Sequence, residues 1–478
     1  MARPIRFLLD GVVRESPADT DPTLTVLNLL RYHLRRTGTK EGCAEGDCGA
    51  CTVVLGELEG ERVRFRAVNA CILFAPMLDG RALFTVESLG REGALHPVQQ
   101  AMVDLHASQC GFCTPGFVMS LYAHQREGAP SDPQSLKDAL AGNLCRCTGY
   151  GPILAAGQAM GAAPEADIAA ALKAIQPAEG LAIEHKGRRF VAPRSADELA
   201  ATLEANPDAT VLAGGTDIGL WVTKQRRVLR TIVSLNDCAD LKAVEDLGPA
   251  IRIGAAVRYA DAHAALAALH PDFGELLRRL GGQQVRNLGT VCGNIANGSP
   301  IGDMPPALIA ADATLVLRRG AARRELPLEA YFLAYGRQDR APGEFVEAVI
   351  VPKPAAGRIF RIAKLSKRFD QDISAVCLGL SVGVEAGRVT DARIAFGGMA
   401  ATPKRAVACE AALAGRPWTP ATVETAVGTL ADDFAPITDM RASAGYRLEA
   451  AGNLIRRAVL ESQGAAARLL DAEAVAHG

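Results

Sequence analysis

This chain of 478 residues lacks three things that would place it quickly. It has no charge excess: 52 Lys and Arg stand against 53 Asp and Glu, a formal net charge of −1. A general electrostatic partner such as nucleic acid or an anionic membrane surface is therefore not expected. It has no apolar run near the roughly 18 consecutive residues of a membrane span. Its opening stretch, MARPIRFLLDGVVRE, holds only three to four consecutive apolar residues, too few for the core of a secretory leader. A cytoplasmic, soluble protein is expected. In that compartment twelve cysteines are not a disulfide framework, because thiols there are kept reduced.

What is present is an ordinary globular composition, 49% hydrophobic and 22% charged, at a length that implies roughly two to four domains. The cysteines are distributed unevenly. Eight of the twelve precede residue 150, and the other four, Cys238, Cys292, Cys377 and Cys409, are scattered singly, the usual pattern of small buried apolar residues. The eight fall into two groups of four, each enough to ligate one metal centre.

The first group is Cys43, Cys48 and Cys51 in KEGCAEGDCGACTVV, followed by Cys71 in VNACILF. Its C-x4-C-x2-C spacing with one remote cysteine is the plant-type ferredoxin arrangement for a two-iron cluster. Gly42, Gly46 and Gly49 allow a tight loop whose backbone N–H groups can face the sulfurs. Zinc knuckles instead pair two short C-x2-4-C units, so iron–sulfur is favoured here. The flanking sequence predicts a hairpin, IRFLL-DG-VVRES, then an apolar-periodic helix, TLTVLNLLRYHLRR, with CTVVL as a strand leaving the loop.

The second group is Cys110 and Cys113 in QCGFCTPG, then 31 intervening residues, then Cys145 and Cys147 in NLCRCTGY. No strand leads into Cys110, which disfavours a thioredoxin-type dithiol. By spacing alone structural zinc remains open. Helical signals surround the group: HPVQQAMVDLHA, then Thr114 as cap with Pro115 as first helical residue, then Asp132 with Pro133 repeating the device. The cysteines are expected at helix ends in a small bundle, where helix N-termini favour anionic thiolates.

From about 155 to 185 the chain turns Ala-rich, and it reads as a linker with partial helicity. Ordered patterning resumes with a strand and a Ser195-x-x-Glu198 capping box. TVLAGGTDIGLWVTKQ then predicts a strand running into Gly214, Gly215, Thr216 and Asp217 before a helix, a suitable cradle for a diphosphate, though not a Rossmann G-x-G-x-x-G. Gly, Asn and Ser concentrate again over Gly289–Gly302, predicting a long loop with Asp303 before an apolar helix. Strands are expected from about 377, and RASAGYRLEAAGNLIRRAVLES predicts a closing amphipathic helix with a basic inner turn.

EGDCGACTV, QCGFCTPG and LCRCTGY, with all eight cysteines in order, resemble the iron–sulfur segment of the molybdenum hydroxylases, the xanthine dehydrogenase and aldehyde oxidase family. AGGTDIG and TVCGNIANGSPIGD resemble the two flavin loops of the same family. The resemblance covers nearly the whole chain and implies an α+β multidomain fold. Its parts would be a β-grasp 2Fe–2S ferredoxin-like domain (1–85), a four-helix 2Fe–2S domain (86–160), a linker (161–182), a vanillyl-alcohol-oxidase-type FAD-binding α+β domain (183–355) and a C-terminal α+β domain (356–478). It implies that Cys43, Cys48, Cys51 and Cys71 hold one 2Fe–2S cluster, and that Cys110, Cys113, Cys145 and Cys147 hold the other.

For FAD the resemblance implies Val211, Leu212, Ala213, Gly214, Gly215, Thr216, Asp217 and Ile218 on one loop. Thr290, Val291, Cys292, Gly293 and Asn294 follow on the second, with Leu280, Asp303 and the flavin-contacting Lys364. Cys292 stands where relatives often have Gly. Lys367, Arg368, Asp370 and Asp372 match a segment governing nicotinamide access. Gln109, with Cys147 nearby, would face the pterin of a molybdenum cofactor held by a partner. Nothing after residue 380 is patterned for the molybdenum domain, so that domain is expected on a separate large subunit, in a heterotetramer of two small and two large chains.

No catalytic residue is then expected in this chain. The implied activity is purine hydroxylation on the partner, hypoxanthine to xanthine to urate. Electrons would pass through the helical-domain cluster and the ferredoxin-like cluster to FAD and on to NAD+. The same architecture serving an aldehyde or N-heterocycle hydroxylase is one alternative, and a zinc-stabilised interaction protein without a redox role is another.

Overall fold

The computed structural model describes residues 3–16, 19–90, 93–162, 167–369, 371–465 and 467. It divides into two compact units, one of Met1–Leu241, Arg258–Ala260 and Gly281–Thr290, the other of Lys242–Val257, Asp261–Leu280 and Val291–Gly478.

In the first unit Ile5–Leu9 and Val12–Ser16 pair as the expected hairpin. Asp10 and Gly11 turn it at φ 55° and 74°, the left-handed pair of a type I′ turn. A five-stranded sheet follows in the order Val12–Ser16, Ile5–Leu9, Ala82–Phe84, Thr52–Glu59, Arg62–Asn69. Parallel pairing of Ile5–Leu9 with Ala82–Phe84 makes it the mixed sheet of a ferredoxin-like domain. The helix behind it is shorter than its sequence suggests. Val26–Asn28 passes into a π turn over Leu29–His33, where the Leu34 N–H donates to the Leu29 carbonyl.

Four helices, Pro97–Asp104, Thr114–Arg126, Pro133–Leu140 and Gly151–Ala159, pack around Val98, Met102, Phe117, Leu121, Leu136 and Ile153. Asp132 caps the third helix as expected, accepting from the Gln134 and Ser135 N–H groups. Thr114 does not cap the second. Cys113 holds the cap position one residue earlier, so Thr114 is already helical and its hydroxyl meets that of Ser108 at 2.7 Å.

The linker region carries a short helix, Ala169–Ala174, and part of it, 163–166, lies outside the described residues. A second sheet orders Leu181–His185, Arg188–Ala192, Thr231–Ser234 and Thr210–Leu212, the last three parallel. Ser195 caps the helix Ala196–Ala205. The reciprocal half of its box is displaced: the Glu198 carboxylate accepts the Arg194 N–H at 2.8 Å, one residue upstream of the cap. One apolar core runs from Phe7, Leu55 and Phe74 to Leu181, Phe190, Leu212 and Ile232.

The second unit holds an antiparallel sheet ordered Val244–Asp246, Ala250–Gly254, Phe345–Pro352, Thr314–Arg319, Ala322–Pro327, and another ordered Ile359–Leu365, Val376–Glu385, Arg388–Gly397, Lys404–Arg405. The closing helix spans Ala444–Ser462 and buries Arg447. One expectation is corrected here. Gly289–Gly302 is not a long loop, because Val291–Asn297 is helical with Val291, Cys292 and Ile295 buried on one side. The three apolar positions outweigh the Gly and Asn content, and Gly298 at φ 63° ends the turn. Asp303 occupies the cap position of Met304–Ala310 but caps nothing; its carboxylate is engaged elsewhere.

Candidate redox and nucleotide sites

The first cysteine loop is built around sulfur. The Cys43 Sγ accepts the N–H groups of Glu45, Asp47 and Cys48 at 3.4, 3.4 and 3.3 Å. Three amides aimed at one sulfur stabilise a thiolate, as the loop glycines predict. Gly46 and Gly49 adopt φ 80° and 71°, and a Cβ on Gly49 would overlap the Gly142 carbonyl oxygen. Only glycine meets both demands.

The four thiols shift one another's ionisation. The Cys43 thiol is held far below its ordinary range, first by the Cys48 thiol and then by that of Cys71. Cys48 and Cys71 are correspondingly pushed up, in both cases first by Cys43, and Cys71 pulls Cys51 down. Cys51 and Cys71 are buried. Among the described residues no group of three or more His, Cys, Asp or Glu side chains is arranged to hold a single metal ion; the thiols are linked in a row, Cys48 to Cys43 to Cys71 to Cys51. A set of thiols that must share protons in this way is the donor set that a cationic iron–sulfur core deprotonates outright, so the residues fit the group.

The second set is more open, with Cys110 and Cys147 exposed and Cys113 and Cys145 half-buried. Cys145 is pulled down despite its burial, because the Thr148 hydroxyl and N–H both reach its sulfur, at 3.2 and 3.4 Å. Burial pushes Cys113 up to about 12, with Cys145 adding to the effect, and Cys147 is raised by Cys110. Thus Cys113 meets Cys145, and Cys110 meets Cys147, across the 31-residue gap in sequence. Gln109 is exposed beside them.

Sequence reasoning missed a polar group buried between the two sets. The Asn143 Nδ2 donates to the Gly49 carbonyl at 3.2 Å and to Thr52 Oγ1 at 3.3 Å. Its Oδ1 accepts from Ser120 Oγ at 2.6 Å and from Gln284 Nε2 at 3.0 Å. Asn143 lies 94 residues from Gly49 and 141 from Gln284, so no local pattern could have disclosed it.

In the first unit, the strand Thr210–Leu212 delivers Ala213 to Asp217 onto the short helix Ile218–Thr223. Gly214 passes so close to Leu288 that a Cβ would overlap its carbonyl oxygen. Asn236, unnoticed in the sequence, fixes the loop by donating to the Ala213 carbonyl at 2.5 Å. The N–H groups of Gly214, Gly215 and Thr216 have no acceptor among the described residues. Backbone amides left free in a glycine loop are what a diphosphate requires. Thr290 closes this unit.

The other nucleotide candidates belong to the second unit. Asn294 has a buried Oδ1 without a partner, the mark of a polar ligand's place. Asp303 receives the Lys364 Nζ at 2.6 Å and the Ser374 hydroxyl at 2.5 Å, and Lys364 also donates to Ser374 at 3.0 Å. Cys292 is buried against the Ile253 carbonyl and its thiol is pushed up to about 12, so it behaves as a small core residue. Leu280 is buried.

A cavity of about 380 Å³ is lined by Lys364, Ser366, Lys367, Arg368, Phe369 and Arg279 among others. Arg279 ties its wall together, donating to the Phe369 carbonyl at 2.8 Å and the Lys364 carbonyl at 3.1 Å. Arg368 is held by Asp372; Asp370 lies outside the described residues.

Four family descriptions match. Residues 11–76 match a 2Fe-2S iron-sulfur cluster binding domain and 85–158 a [2Fe-2S] binding domain. Residues 181–354 match the FAD binding domain in molybdopterin dehydrogenase, and 361–462 the CO dehydrogenase flavoprotein C-terminal domain. The chain is 31% identical to a xanthine dehydrogenase of Emericella nidulans, over 90% of this chain and 36% of that protein. It is 32% identical to aldehyde oxidase 2 of Cavia porcellus, over 85% and 36% respectively. It thus spans about a third of the length of the curated relatives it matches. Among solved structures it is similar to the carbon monoxide dehydrogenase of Hydrogenophaga pseudoflava, at 30% identity and TM-score 0.54, covering 56% of this chain and 94% of that one.

Proposed function

This chain belongs to the molybdenum hydroxylase family, of which it carries both 2Fe–2S domains and the FAD-binding domain, and from that membership we propose that it is the electron-transfer subunit of a xanthine dehydrogenase. Its partner would be a large subunit binding the molybdenum–pterin cofactor, in a cytoplasmic heterotetramer, with NAD+ as final acceptor. The supporting observation is the pair of cysteine sets, Cys43–Cys48–Cys51–Cys71 and Cys110–Cys113–Cys145–Cys147, each with thiols that shift one another's ionisation.

The division of labour within the chain follows the boundaries at 85, 160, 182 and 355. When bound, the clusters carry single electrons and FAD carries two, so the group binding a one-electron and a two-electron partner can be the same chain. The residues themselves bind and orient. The N–H groups of Glu45, Asp47 and Cys48 offset negative charge on sulfur. Thr148 does the same for Cys145. Gln109, exposed on its loop, would reach the partner's pterin. Val211 to Ile218, with Thr290 to Asn294, would hold the FAD diphosphate. Asp303, Lys364 and Leu280 would border its sugar and ring, and Lys367, Arg368 and Asp372 would shape the approach of nicotinamide.

An aldehyde hydroxylase is the second reading, favoured by the 32% identity to an aldehyde oxidase. Assaying the purified complex with xanthine and with aldehydes, NAD+ present, separates the two. Xanthine-dependent NADH formation supports the first, and turnover of aldehydes alone supports the second.

A further inference from the structure

The two cysteine sets are joined by something more specific than packing. Thr52, Ser120, Asn143 and Gln284 are each 3% exposed or less, and Asn143 is their centre. A primary amide offers two N–H donors and two acceptor lone pairs, and all four are used here: Gly49 and Thr52 on one side, Ser120 and Gln284 on the other. The next residue completes the bridge. The Leu144 N–H donates to the Cys48 carbonyl at 3.0 Å, and Leu144 is bonded directly to Cys145. One hydrogen bond therefore connects a ligand residue of the first set to the residue covalently bonded to a ligand of the second.

The close approach that makes this possible is built in. Gly116 and Gly49 pack so closely that a Cβ on Gly116 would overlap the Gly49 carbonyl oxygen. Gly142 makes room for Gln284, whose Oε1 would overlap a Cβ there. Packing alone could have held these loops with apolar side chains at less risk, since a buried polar network costs stability wherever it is incomplete. The Asn143 amide itself is fully bonded, although the Gln284 Oε1 beside it is buried without a partner; an amide held on four sides can fix both the distance and the direction of the Cys48–Leu144 bond.

We propose that Asn143 is a positioning residue for electron transfer, clamping the Cys48–Gly49 loop to the Asn143–Cys145 segment so that the Leu144–Cys48 hydrogen bond between them keeps its length. This rests on the reading that both sets hold 2Fe–2S clusters, and it goes beyond that reading by naming the residue that sets their coupling.

The test uses the intact complex. Asn143→Leu removes all four bonds while keeping the branched side chain and its number of heavy atoms, and Ser120→Ala removes one of the four. Glu57→Gln, a buried change in the same unit away from the cysteine loops, serves as a stability control. Iron per chain, the magnetic splitting between the two reduced clusters and the rate of electron transfer between them after rapid reduction are measured. Asn143→Leu is expected to keep its iron, to lose splitting and to slow the transfer about 10-fold, the scale on which residues supporting metal ligands act. Ser120→Ala is expected to move the same way by less.

Splitting and rate equal to wild type, with stability lowered only as in Glu57→Gln, would overturn the proposal. Should Asn143→Leu fail to retain iron, Ser120→Ala decides by the same two readings. A wild-type protein without iron would instead defeat the cluster assignment on which the proposal stands.

Discussion

The Lys364 ammonium lies 2.6 Å from the Asp303 carboxylate, with the two side chains only 3% and 7% exposed. Ser374 donates to the other carboxylate oxygen. A buried pair of this kind is costly to break because the remaining charge has no water to turn to. Lys364→Met is expected to lower stability by about 3–5 kcal/mol, read as a lower urea midpoint, and to weaken flavin retention. The double variant Asp303→Leu with Lys364→Met should recover most of the stability but not the flavin. A loss in the double variant equal to the sum of the losses in Asp303→Leu and Lys364→Met would show that the two side chains are not coupled.

The loop at Gly214 leaves no room for a methyl group beneath the Leu288 carbonyl. Gly214→Ala is expected to cost about 1–3 kcal/mol by overpacking and to release flavin, measured as free flavin fluorescence after desalting. Gly151→Ala, where a Cβ meets nothing within 4 Å, should leave both unchanged.

Glu57 provides a pH dependence with a defined sign. Burial alone would raise its pKa, but the charges of Arg258, Arg81 and Arg66 outweigh burial and hold the carboxyl well below its ordinary value of 4.5. A carboxyl depressed in the folded state adds stability that is complete above the ordinary value and is lost as pH falls through the folded value. Urea unfolding between about pH 7 and pH 3 should therefore show a steep acid limb below pH 4.5. In Glu57→Gln the stability at neutral pH should be lower and the acid limb shallower.

Each cysteine set should account for half of the iron. Cys71→Ser is expected to reduce iron from about four to about two per chain, and Cys147→Ser to do the same through the other centre. Their reduced spectra should be complementary. A variant of either kind with full iron would remove that cysteine from the ligand set.

Much of this was legible in the sequence, and what was not has a common cause. The hairpin at Asp10–Gly11 and the Asp132 cap are local patterns, and local geometry realises them. Thr114 and Glu198 miss by one residue because capping depends on where the backbone turns, which composition only approximates. The helix Val291–Asn297 was hidden by its Gly and Asn content, although its buried Val291, Cys292 and Ile295 carry the helical spacing. Asn143, Gln284 and Asn236 were invisible for another reason. Their partners lie 94, 141 and 23 residues away, and a single polar side chain carries no signal of which distant backbone atom it will meet.

The central claim, two 2Fe–2S centres and one flavin on this chain, is tested most directly by measuring iron, acid-labile sulfide and FAD per chain together with the visible spectrum. About four iron, about four sulfide and about one FAD, with overlapping iron–sulfur and flavin bands bleached on reduction, are predicted. A colourless protein containing zinc and no labile sulfide would contradict the account.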